Sequence, residues 1–294
     1  MPIQRRFVRE GIALAYFERN APRADLPTLL FAHCTGFHAR VWDYIIEAFP
    51  EHHTLALDQR GHGRSDKQLI THWGIFGEDI AALLEHLGLE HVVGVGHSVG
   101  GHAMTSAAAI SARLGRLILC DPTIAAPEAY ADPKPRFTGR VHPAANRRKL
   151  FPSPEALRDQ LHPKGSYALF EPRMFWDYCQ YGLLPTINGT FTLACPPEVE
   201  ASVYATSRSN AAIYESVKAI KHPVTVLRAK SRNIAPGTFD FASSPTWPGL
   251  ATTFPNAREI HLADCTHFIP MQMPERVIEV IREEVAAWRS NVTC

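Results

Sequence analysis

VVGVGHSVGG, residues 92–101, follows a β-branched run with a serine set between glycines. A nucleophilic hydroxyl is useful only if it stands clear of the sheet, so the chain must turn sharply from strand into helix at Ser98. Such a turn strains the serine backbone and brings the residues two before and two after it close together. Glycine at 96 and 100 removes that crowding. A helix beginning near Val99 then aims its free N–H groups at the point where negative charge develops during acyl transfer. The motif alone is common. Its placement after HVVGV (91–95) and before the small-residue run GGHAMTSAAA (100–109) gives it the strand-to-helix context it needs.

Working outward, apolar β-rich runs recur at 28–33, 53–58, 91–96, 116–121, 223–229 and 258–263. Helical patterns separate most of them. One covers 75–87, with Ile75, Ile80, Leu83, Leu84 and Leu87 on a single stripe and Gly88 as its stop signal. Others cover 99–114 and 275–289, the last started by Pro274. Near-continuous hydrophobicity in strands that alternate with helices is what a parallel sheet covered on both faces requires. The spacing therefore predicts an α/β, doubly wound, mostly parallel core.

Residues 122–222 break the alternation and are far too long for an ordinary connection. They are expected to form an inserted helical cap, leaving 1–121 and 223–294 as the core. The insertion is rich in proline and aromatic residues, among them Phe170, Phe175, Trp176, Tyr178, Tyr181 and Tyr204. That composition suits a lid over an apolar pocket. RRK at 147–149 reads as a solvated face.

The chain has 294 residues, 46% of them hydrophobic, and 30 basic against 29 acidic side chains for a formal charge of +1. No charge excess points to nucleic acid or a membrane surface, so a small, mostly apolar molecule is the expected partner. Arg5, Arg6, Arg9, Glu10 and Arg19 interrupt the first apolar letters, unlike a signal peptide. No apolar run is long enough to span a bilayer. Cysteines at 34, 120, 179, 195, 265 and 294 form no C-x-x-C pair and no zinc-ligand spacing. A reduced, cytoplasmic protein with no metal and no cofactor is expected.

Four segments in order, FAHCTGFH (31–38), LDQRGHGRSD (57–66), GHSVGG (96–101) and DCTHFIPMQMPERV (264–277), resemble the α/β-hydrolase family, and the resemblance covers nearly the whole length. It implies the α/β-hydrolase fold, a triad in the chain order serine, acid, histidine, and an oxyanion hole made by two backbone amides. The loop HCTGF assigns Thr35 as one donor, and Val99, the residue after the nucleophile, as the other. Cys34 stands where the family more often has glycine; nothing places a base beside it, so Ser98 remains the nucleophile.

His267 follows the last strand and precedes the terminal helix, a position that brings its ring over the nucleophile turn. It is the expected base, while His97 and His33 suit structural hydrogen bonds. The acid is harder to place. The commonest family position follows the strand 223–229, where this chain reads Lys230, Ser231, Arg232 and Asn233, with no carboxylate. Some members instead supply the acid from the end of the preceding strand, which selects Asp121. Asp240 is the next candidate, and Asp264 lies too close to His267 along the chain to orient it easily.

A serine in this setting argues for acyl transfer to water, and the aromatic lid for an apolar ester or lactone. Arg136, Arg140, Arg173 and Arg208 are candidates for binding a substrate carboxylate, though exposed arginines are the plainer reading. The same triad serves carbon–carbon bond hydrolases and cofactor-independent lyases. A non-catalytic ligand receptor is the remaining alternative.

Overall fold

The computed structural model describes residues 1–131, 142–231 and 242–292. Eight strands form the main sheet: β1 (Ile3–Arg9), β2 (Ile12–Arg19), β3 (Thr28–Ala32), β4 (Thr54–Leu57), β5 (Val92–His97), β6 (Leu114–Cys120), β10 (Val224–Ala229) and β11 (Ala257–Leu262). Their spatial order is β1-β2-β4-β3-β5-β6-β10-β11. The six from β4 to β11 run parallel, and the β1–β2 hairpin adds antiparallel at one edge.

Successive strand residues alternate between two cores. Leu29 and Phe31 pack on one face with Val93, Val95 and Ile118, while Leu30 and Ala32 pack on the other with Val92, Leu117 and Leu119. Both faces are thus covered, as the continuous apolar letters require. The helices Gly74–His86 and Val99–Ile110 cover one face and Pro274–Val292 the other. Among the described residues no helix is long and apolar enough to cross a membrane.

Three details differ from the sequence expectation. The β1–β2 hairpin was not anticipated, because most of β1 is exposed and its arginines hide the period-two pattern. The helix expected over 99–114 ends at Ile110, where Ser111 turns extended so that β6 can start at Leu114. The described residues of 122–222, expected to be helical, are not wholly so. They carry a small antiparallel sheet, β7 (Leu150–Phe151), β8 (Leu183–Pro185) and β9 (Phe191–Leu193), ordered β7-β9-β8.

Around that sheet lie the helices Pro154–Leu161, Pro172–Tyr181 and Pro197–Ala205, each opening on proline, which costs nothing at a position with no intrahelical N–H partner. The helix Ile213–Ala219 packs against the main sheet: Ile213 and Val217 share a cluster with Val92 of β5.

Strand order fixes where a site can form. The chain leaves β3 toward β4 on one side and β5 toward β6 on the other, so a crevice opens between the carboxyl ends of β3 and β5. The 33–38 loop and the Ser98 turn lie at those two ends.

Candidate active site

Ser98 occupies the turn between β5 and the helix Val99–Ile110, with φ 58° and ψ −117°. A left-handed φ on a serine costs on the order of 1–3 kcal/mol and persists only where surrounding contacts impose it. Those contacts are tight. A Cβ on Gly96 would sit 2.4 Å from the Gly100 carbonyl oxygen, and one on Gly100 would sit 2.3 Å from the Ala32 carbonyl oxygen. Only hydrogen fits at either position, so the strand, the turn and the β3 end close upon one another as the sequence required.

The Ser98 hydroxyl donates to His267 Nε2 at 2.9 Å, and His267 Nδ1–H donates to Asp121 Oδ2 at 2.7 Å. Three residues spread over 169 positions of chain are thereby brought into one hydrogen-bonded line. Asp121 follows β6, is fully buried and has φ 46°. Its second oxygen, Oδ1, accepts from the Ala229 N–H (3.0 Å) and the Ser244 hydroxyl (2.5 Å), with the Thr246 hydroxyl 3.1 Å away. These donors hold Oδ1 in place and aim the other carboxylate oxygen at the imidazole. Asp264 is exposed, whereas Asp240 lies outside the described residues, as do Asn233, Arg136 and Arg140.

The loops that hold His267 and Thr35 are tied by buried histidines. His97 is buried, and burial, followed by the neighbouring His267, pushes its pKa well below the ordinary imidazole value. In its neutral form Nε2–H donates to the His267 carbonyl at 2.9 Å, anchoring the loop that carries His267. Thr266 adds a second anchor, its N–H and hydroxyl both donating to Gln272 Oε1 at 2.9 Å. His33 Nε2 accepts from the Gln59 N–H at 3.1 Å, so its Nδ1–H donates to the Cys34 carbonyl at 2.8 Å and sets the path of the 33–37 loop. Burial pushes the Cys34 thiol well above its ordinary pKa, which leaves it a packing residue.

Thr35 lies in that loop, and Val99 is the first residue of the helix behind Ser98, where an N–H has no intrahelical acceptor. Beside Thr35 opens a cavity of about 650 Å³, bordered by Phe37, Tyr167 and the two neighbours of His267 in the chain, Thr266 and Phe268. Its aromatic side is made by Phe37, Tyr167 and Phe268, with the Phe268 ring 5.7 Å from Phe37 and 6.4 Å from Tyr167, and Tyr178 packs against Phe37 at 4.4 Å.

The sequence reading missed several of the residues here. Thr123, two positions beyond Asp121, places its hydroxyl 3.0 Å from Ser98 Oγ. With the serine proton directed at His267, Thr123 is left to donate to Ser98 Oγ. Arg148 and Lys149 of the RRK run are exposed as expected of a solvated face, but Arg147 departs from that reading. It turns into the cavity, pairs with the buried Glu200 and donates to the Tyr178 hydroxyl at 3.3 Å. Burial raises the Glu200 pKa and Arg147 opposes that rise. Lys230 also borders the cavity. Arg173 instead pairs with Glu47 at 2.6 Å, and Arg208 is not part of the cavity wall.

Comparison with known proteins agrees with this architecture. A non-heme chloroperoxidase of Streptomyces lividans is 38% identical over 89 residues, 29% of this chain and 32% of that protein. A bifunctional esterase/perhydrolase of Acinetobacter calcoaceticus is 34% identical over 99 residues, 32% of this chain and 34% of that one. The chain thus spans about a third of the length of the curated relatives it matches. Among solved structures, an E-2-(acetamidomethylene)succinate hydrolase superposes with a TM-score of 0.74 at 22% identity, covering 96% of this chain and 98% of that one. A thermophilic esterase from Thermogutta terrifontis gives 0.65 at 24% identity, covering 98% of each chain. At these identities the likeness is one of fold. The family model described as the alpha/beta hydrolase family matches residues 29–280, and the chain belongs to that family.

Proposed function

We propose that the chain is a serine hydrolase that cleaves an ester or lactone of a small molecule through an acyl-enzyme. In this reading His267 Nε2 takes the Ser98 proton as Oγ attacks the carbonyl carbon. The oxyanion is received by the amides of Thr35 and Val99, and the Asp121 carboxylate stabilises the imidazolium. His267 then returns its proton to the leaving alcohol. Water, deprotonated by the same imidazole, attacks the acyl carbon, and Ser98 recovers its hydrogen as the acid departs. Residues 122–222 act as the cap, their aromatic side chains closing an apolar chamber over the serine.

The observation that carries this reading is the unbroken line from Ser98 Oγ to His267 to Asp121, at 2.9 and 2.7 Å. Relatives named as esterases support it. Buried, unpaired cysteines at 34, 120, 179, 195 and 265 support a reducing, cytoplasmic setting.

The test is hydrolysis of p-nitrophenyl acetate and butyrate by the wild type and by Ser98→Ala. The proposal expects turnover by the wild type and a loss on the order of 10⁴ or more in the variant, since little besides transition-state binding then remains. A variant within tenfold of wild type, or ligand binding without any turnover by the wild type, rejects it.

A further inference from the structure

The aromatic cavity is not uniformly apolar. Three cationic side chains border it, Arg147, Lys164 and Lys230, against a single described carboxylate, Glu200. Arg147 is already committed. One arm of its guanidinium holds Glu200 and the other the Tyr178 hydroxyl. Lys164 stands exposed at the rim. Lys230 is different, being half-buried with no hydrogen bond or ion pair from its ammonium group among the described residues.

The place of Lys230 in the fold is also fixed. It follows β10 directly, its N–H donates to the Cys265 carbonyl at 2.9 Å, and its own carbonyl accepts from the Ser244 N–H at 2.9 Å. Cys265 stands two residues before the base His267, and the Ser244 hydroxyl binds Asp121. The ammonium therefore springs from backbone bolted to the loops carrying both the base and the acid. Among the described residues no carboxylate faces this ammonium at the edge of the aromatic cavity, so an anionic ligand group is the partner its position suits.

We infer that Lys230 is the anchor of a carboxylate subsite, and that the substrate is an ester or lactone bearing a free carboxylate, with its apolar chain laid along Phe37, Tyr167 and Phe268. This rests on the hydrolase reading of the same cavity. Arg147, neutralised by Glu200, also borders the cavity, and Lys164 draws the anion toward the rim.

The experiment compares kcat/KM for monomethyl adipate and for methyl 6-methylheptanoate, two esters of equal length that differ in the terminal carboxylate. It uses the wild type, Lys230→Met and Lys230→Arg. The inference expects the wild type to prefer the hemiester by about tenfold or more, the preference to shrink as ionic strength rises, and the ratio to fall within about threefold of one in Lys230→Met. Lys230→Arg should keep most of it.

A wild-type ratio near one, or a ratio unchanged in Lys230→Met, overturns the inference and leaves the hydrolase reading standing. If the wild type cleaves neither these esters nor p-nitrophenyl esters, that reading fails by itself. The subsite is then judged by calorimetric titration of adipate into Ser98→Ala and the Ser98→Ala, Lys230→Met double variant. Binding lost in the second supports it; absent or equal binding in both overturns it.

Discussion

Replacing Asp121 by asparagine keeps the shape of the side chain and removes its charge, and the local network dictates how the amide must sit. The position now held by Oδ1 faces the Ala229 N–H at 3.0 Å, a donor that cannot reorient, and the Ser244 hydroxyl at 2.5 Å. An NH₂ group placed there would meet that backbone donor head on, so the amide oxygen must take the Oδ1 site. The NH₂ is then left facing His267 Nδ1 across what is now a 2.7 Å bond. To accept that hydrogen, the imidazole must move its proton to Nε2, the atom 2.9 Å from Ser98 Oγ.

A protonated Nε2 cannot take the serine proton, so the variant fails through the tautomer as well as through the lost charge. The cost in such triads is on the order of 10⁴ in kcat. Stability should suffer less, by about 1–3 kcal/mol for weakened hydrogen bonds to a buried group. The assay is steady-state hydrolysis of p-nitrophenyl butyrate, with circular dichroism and a thermal melt to establish that the variant is folded. A folded Asp121→Asn protein retaining a tenth or more of wild-type kcat would refute the reasoning and move the acid elsewhere, with Asp240 the first position to test.

Other outcomes follow from the same contacts. Gly100→Ala should lower the melting temperature and abolish most turnover, because its Cβ would lie 2.3 Å from the Ala32 carbonyl oxygen; Gly115→Ala, with nothing within 4 Å, is the control that should do neither. The Asp177 carboxyl is pushed up to about 6, by burial first and the nearby Asp43 second, with Arg173 and Arg40 opposing. Because its native pKa is raised, the native state holds this proton more tightly than the unfolded chain, and the stability gained below about pH 4 is lost as pH rises through about 6. Asp177→Asn should therefore stabilise the fold at pH 8 by on the order of 1–3 kcal/mol, read by differential scanning calorimetry as a higher melting temperature, and have little effect at pH 4.

What was legible in the sequence was mostly what backbone geometry imposes locally. Ser98 could be read because a serine at φ 58° needs glycine at fixed offsets, and those offsets are letters in a row. His267 could be read because a parallel sheet delivers every functional loop to one edge. Asp121 was reached from the family pattern, through the absence of a carboxylate at 230–233 and the position of a strand end.

The cavity walls were hidden for the opposite reason. Arg147 and Glu200 are 53 positions apart, and nothing local marks either as half of a pair, so RRK looked like ordinary surface. Thr123 had a short-range signal in its place two residues after the acid, but its role depends on the Ser98 carbonyl accepting from the Thr123 N–H at 3.0 Å, a contact between two loops. The β1–β2 hairpin escaped because an edge hairpin needs only one buried face, and five of the seven β1 residues are exposed.

The central claim is that Ser98 is a nucleophile activated by His267. Its most direct test is incubation with a fluorophosphonate probe, followed by intact-mass measurement and peptide mapping. The account predicts a single adduct on Ser98, absent in Ser98→Ala and much slower to form in His267→Ala. A folded protein that takes up no probe, or takes it up on another residue, would contradict it.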